Sequence, residues 1–119
     1  MVYFLIGGTI FFTVIGQLLL KRATLELGLA PTQAPEIAAY LVRAFLNWQV
    51  LGGLASAVLA AALWLGAVSR SNISFAYPFM GLAIVLVLTL SPFLFGEQIP
   101  WNRWLGVLIV CVGIWVAAQ

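Results

Sequence analysis

Three long stretches of this chain carry no charged residue, and a fourth carries only one, close to its start. A helix rises 1.5 Å per residue, so about 20 apolar residues cross a hydrocarbon core of roughly 30 Å. The stretches at 2–20, 48–69, 73–95 and 101–118 meet or nearly meet that length. Membrane-spanning strands would need apolar and polar residues to alternate over about 10 positions. These runs are continuous, so they predict helices: an all-α membrane protein, a bundle of four transmembrane helices in a single domain, 1–119.

Composition closes the alternatives. Hydrophobic residues make up 65% of the chain and charged residues 7%, whereas a soluble domain needs about a quarter charged. The five Lys and Arg all lie outside the uninterrupted apolar core of the runs. They suit interfacial anchoring and topology, and no dense basic patch exists for nucleic acid. With no His and one Cys, a zinc site and an internal disulfide are both excluded. Cys111 lies deep in the last run and reads as a small packing residue. The first run lacks a basic leader and a small-x-small cleavage site before Lys21-Arg22, so it is expected to be a retained span.

The connections differ in kind. Arg70-Ser71-Asn72 joins spans two and three as a tight antiparallel hairpin. The first loop holds Gly28, Pro31 and Pro35, then a segment at 36–47 that is too short to span. Its Ile37, Tyr40, Leu41, Ala44 and Phe45 recur at helical spacing. They fit an amphipathic helix at the interface, or equally an N-terminal extension of span two. Asn102 is a candidate cap for span four. Tyr3, Trp48, Trp101 and Trp104 sit near span ends, where aromatic rings suit the headgroup layer. Lys21, Arg22, Arg43 and Arg103 fall on one side of the bilayer and Arg70 on the other. That weak bias puts both termini outside the cytoplasm.

Polar groups within a span are costly and each needs a reason. In span one, Thr9, Thr13, Gln17 and Lys21 recur every four residues. Each step turns about 400°, so the stripe drifts while keeping to one side of the helix. A hydroxyl such as that of Thr9 is cheap, because it bonds to its own backbone. Gln17 and Lys21 either bond across to a neighbouring helix and snorkel to the headgroups, or form a polar groove for an anionic headgroup. Span three holds Ser74, Tyr77, Pro78 and Gly81 within two turns, and Pro78 is expected to kink it. Span two presents a small-residue face, Gly52, Gly53, Ser56, Ala57 and Ala60, suited to close helix packing. Gly106 and Gly113 in span four suit a dimer interface. Glu97, after span three, is either a solvated loop carboxylate or a partner for Arg103, Lys21 or Arg22. No nucleophile–base pair, metal cluster or phosphate loop is visible, so no catalytic residues, metal or cofactor are assigned and no enzymatic activity is expected.

Three stretches, Val14 to Thr24, Ile73 to Pro78 and Gly106 to Ile114, together resemble four-helix members of the drug/metabolite transporter superfamily. Small multidrug resistance exporters in that superfamily have a membrane-embedded Glu three residues before the glycine matching Gly16; here the position is Thr13. The flippase subunits for undecaprenyl-phosphate-linked aminoarabinose are more similar. Their Gly-Gln-x-x-x-Lys-x-Ala-Thr is matched by Gly16, Gln17, Lys21, Ala23 and Thr24, their Ala-Tyr-Pro by Ala76 to Pro78, and their later Glu by Glu97.

The resemblance implies a flippase for a polyprenyl-phosphate-linked sugar or similar anionic lipid, multi-pass in the bacterial inner membrane. It implies a substrate path using Lys21, Arg22, Gln17, Thr13, Ser74, Tyr77 and Glu97. It also implies an antiparallel dimer, either a homodimer or a heterodimer with a paralogue, since four helices enclose too little space. The competing readings are an exporter of amines or guanidinium compounds, and a non-transporting scaffold for a glycosyltransferase.

Overall fold

The computed structural model describes every residue from Met1 to Gln119, and its regular structure is entirely helical. In chain order the elements are α1 (Val2–Leu27), α2 (Ala34–Leu46), α3 (Trp48–Arg70), α4 (Ile73–Ala76), a 3-10 turn (Tyr77–Met80), α5 (Gly81–Phe95) and α6 (Trp101–Ala117). α4, the turn and α5 follow one another without a gap as a 23-residue rod, Ile73–Phe95. That rod, α1 and α3 are each long and apolar enough to cross a membrane, while α6 is a shorter apolar helix of 17 residues. The chain is therefore a multi-pass membrane protein.

α1 continues seven residues beyond Leu20, the end expected for its span. Charge at Lys21-Arg22 ends the lipid-compatible stretch but not the helix, because Ala23, Leu25, Glu26 and Leu27 all favour helix. Gly28, at φ 86°, ends it. At 26 residues α1 is about 39 Å long, so its last turns overhang a core of roughly 30 Å.

The overhang docks on α2, which is a separate helix and not an extension of span two. Asn47 breaks the chain between α2 and α3, and its Oδ1 accepts from the backbone N–H groups of Gln49 and Val50 to cap α3. Its Nδ2 donates to Glu26 Oε2 on α1 at 3.2 Å, and Tyr40 Oη donates to the Gly28 carbonyl at 3.3 Å. Ala23, Ala44 and Val50 fill the small apolar cluster beneath. α6 begins after Pro100 with no side-chain cap, and Asn102 lies inside the helix, so the cap expected at Asn102 is not formed.

Only 16 of the 119 residues are buried, and they are mostly small or β-branched. Phe93, Leu65, Val58 and Ile109 are among many large apolar side chains facing outward. Lipid, not a protein core, is the solvent for these faces, and the helices satisfy their backbone internally as lipid requires. α1 and α3 form the most extensive pair, and their backbones approach closely at Gly16 and Gly53. A Cβ on Gly16 would lie 3.1 Å from the Gly53 carbonyl oxygen, and one on Gly53 the same distance from the Gly16 carbonyl. The main core, Ile6, Ile10 and Val14 against Ala67, Ala76 and Ala83, locks α1 between α3 and the Ile73–Phe95 rod. Tyr3, Phe75 and Phe79 meet edge-on at 5.3–6.1 Å and pin the start of α1 to the turn.

Candidate functional site

Along α1 the polar stripe divides by how its groups are satisfied. Thr9 is buried and donates its hydroxyl to the Leu5 carbonyl at 2.8 Å, as a threonine in lipid does when it has no other task. The side chains of Thr13 and Gln17 make no hydrogen bond within the chain. They face open space instead. Unpaired amide and hydroxyl groups at membrane depth carry a desolvation cost unless water, a ligand or a second chain meets them.

That space consists of two adjoining cavities. One, of about 560 Å³, lies between α1 and α5, with Thr13, Gln17, Lys21 and Glu97 on its wall. The other, of about 320 Å³, lies between α1, α3 and the 3-10 turn, with Thr9, Thr13, Gln17, Trp64 and Tyr77 on its wall. Most of the remaining lining is apolar.

The charged end of the larger cavity is built where α5 ends beside Lys21 of α1. Gly96, at φ 66°, takes the left-handed conformation that closes α5. The residue after it, Glu97, then points back towards α1, where its Oε1 lies 3.7 Å from Lys21 Nζ. Both side chains remain nearly half exposed, 47% for Lys21 and 43% for Glu97. The pair is wet, weak and open to exchange.

The 3-10 turn has its cause in Pro78. Proline lacks the N–H that would reach the Ser74 carbonyl, so the helix tightens there from α to 3-10 geometry. The turn places Tyr77 against Trp64, ring centroids 5.9 Å apart at 70°.

Of the residues assigned from sequence, Thr13, Gln17, Lys21 and Glu97 thus come together on one cavity, and Tyr77 faces the neighbouring one. Ser74 and Arg22 are exposed and line neither of the two. Gly106 and Gly113 meet no atom within 4 Å of a notional Cβ, and α6 has no buried residue. Trp64 and Met80 were not singled out from the sequence. An aromatic or a methionine in an apolar run gives no local sign of facing a cavity.

No known protein-family model matches the chain, and no solved structure does. Relatives do exist, each named "Probable 4-amino-4-deoxy-L-arabinose-phosphoundecaprenol flippase subunit ArnE". The relative from Pseudomonas syringae is 31% identical over 67 residues, covering 56% of this chain and 59% of that protein. For this relative the match spans less than two thirds of its length. The relative from Serratia proteamaculans is 33% identical over 99 residues, covering 83% and 79%. The one from Aeromonas salmonicida is 31% identical over 100 residues, covering 82% and 80%. With agreement of that extent, the chain belongs to the family of these flippase subunits.

Proposed function

We propose that the protein is a subunit of a flippase that moves a polyprenyl-phosphate-linked sugar across the bacterial inner membrane. The observation that carries this reading is the pairing of unsatisfied Thr13 and Gln17 with the Lys21–Glu97 ion pair on one cavity. A lipid-linked sugar phosphate has three parts with different needs: an anion, a set of hydroxyls, and a tail that prefers lipid. Lys21 supplies the cation for the phosphate. Thr13 and Gln17 supply donors and acceptors for hydroxyls, and the tail stays in the bilayer and needs no pocket. The relatives' name specifies an amino sugar. For this chain the aminoarabinose-type headgroup fits as well, because Glu97 would take its ammonium while Lys21 takes its phosphate.

Four helices enclose too little of such a path, and α6 leaves a whole apolar face uncovered. The working unit is therefore a dimer, with a second copy or a paralogue, and α6 crosses the membrane as the fourth span. At 17 residues, about 26 Å, α6 is at the short end of spanning length.

The deciding experiment is translocation in proteoliposomes of a polyprenyl phosphate carrying an amino sugar, read by the fraction accessible to an impermeant amine reagent. Accelerated exchange between leaflets, lost in Lys21→Gln, is the expected result. Binding without translocation in every lipid composition, with or without a co-expressed paralogue, would sink the reading in favour of a scaffold.

A further inference from the structure

The four-residue spacing of Thr9, Thr13, Gln17 and Lys21 has a second consequence. Each step overshoots a full turn by about 40°, so three steps rotate the stripe by about 120° around α1. That rotation carries it from one cavity to the other. Lys21 lines the α5-side cavity alone, Thr9 the α3-side cavity alone, and Thr13 and Gln17 line both. One further residue lines both, and it faces the stripe from the opposite wall: Met80, the last residue of the 3-10 turn.

The two spaces differ in chemistry. The α5-side cavity holds a cation and an anion. The α3-side cavity holds no charged residue, and offers the Trp64 and Tyr77 rings opposite hydroxyl and amide groups. Rings facing a few polar groups make a setting for an uncharged polar ring, not for a phosphate. Between the two spaces stands an unbranched, rotatable thioether, the side chain best able to move aside without leaving a polar group unpaired.

We propose that Met80 is the threshold between a charged cavity and a neutral one, and that its bulk sets the size of headgroup passing from the first into the second. In this arrangement the phosphate stays with Lys21 while the uncharged part of the sugar reaches past Met80 towards Trp64. The proposal rests on the flippase reading for its ligand, but its test does not need transport.

The test uses the full chain in lipid vesicles with Cys111→Ser, and one cysteine placed at Ile84 or at Ala61. Ile84 lines only the α5-side cavity and Ala61 only the α3-side cavity. A small polar methanethiosulfonate reagent is added, and the labelling rate at each position is followed. Met80→Trp should slow labelling at residue 61 by about tenfold while leaving residue 84 unchanged, because the bulkier ring narrows the opening that the two cavities share. Met80→Ala should speed it. Met80→Leu, close in volume, should match the parent at both positions, which also controls for folding. Equal rates at residue 61 in all variants, or parallel changes at 84, would overturn the proposal. If labelling follows the expected pattern but no lipid exchanges leaflets, the flippase reading fails alone.

Discussion

Lys21 Nζ stands 3.7 Å from Glu97 Oε1, and this contact ties the aqueous end of α1 to the linker between α5 and α6. Both groups are nearly half exposed, so the pair adds only about 0–1 kcal/mol to folding. Its value lies in being breakable. Lys21→Gln and Glu97→Gln should therefore leave thermal unfolding almost unchanged. Lys21→Gln should weaken binding of a phosphate-bearing lipid by about tenfold, or about 1.4 kcal/mol, in native mass spectrometry. Glu97→Gln should instead tighten binding of a phosphate lipid that lacks an amine, because it frees Lys21 from competition. Parallel losses in both variants would argue against this division of roles.

Gly16 and Gly53 face each other where the α1 and α3 backbones approach, so a side chain at either position has little room. A methyl on Gly16 would sit 3.1 Å from a carbonyl oxygen that cannot swing away as a side chain would. Gly16→Val should destabilise the α1–α3 pair by about 1–3 kcal/mol, measured as a lower unfolding midpoint in detergent. Gly7→Val, one of the positions with open space around the notional Cβ, should show little change in the same assay.

Asn47 serves two helices through one side chain, capping α3 with its oxygen and reaching Glu26 on α1 with its nitrogen. Asn47→Ala should cost about 1 kcal/mol through the cap alone. Hydrogen exchange is the sharper readout: the Gln49 and Val50 amides should lose protection, while the middle of α3 should not. Asn47→Asp should retain the cap but place a carboxylate against Glu26, so its protection should fall between the two.

How far the sequence predicted these features depended on whether the physics was local. The apolar runs marked the long helices because lipid demands continuous hydrophobicity, and the four-residue recurrence from Thr9 to Lys21 marked the polar face. Where α1 ends could not be read in the same way, because charges at Lys21-Arg22 mark the limit of lipid and say nothing about Ala23 to Leu27 as helix formers. Nor could the partner of Glu97 be read, with three nearby cations equally eligible until the Gly96 turn chose among them. Met80 and Trp64 were hidden for a related reason: their roles come from the rotation of one helix past two others, which no single segment encodes.

Gly113 tests the assembly. Within the protomer a Cβ at this position meets nothing within 4 Å, and its neighbours Val112, Trp115 and Val116 are all well exposed. A larger residue there has no intramolecular clash to suffer, so Gly113→Leu should leave the unfolding midpoint of an isolated protomer unchanged. If α6 is the seam between subunits, the same change should disrupt association, because small residues are what allow helices to approach closely in lipid. Cross-linking in bilayers reads that outcome directly. Loss of the dimer band in Gly113→Leu, with an unchanged helical spectrum, locates the interface on α6. A dimer that persists would move it to another face of the protomer.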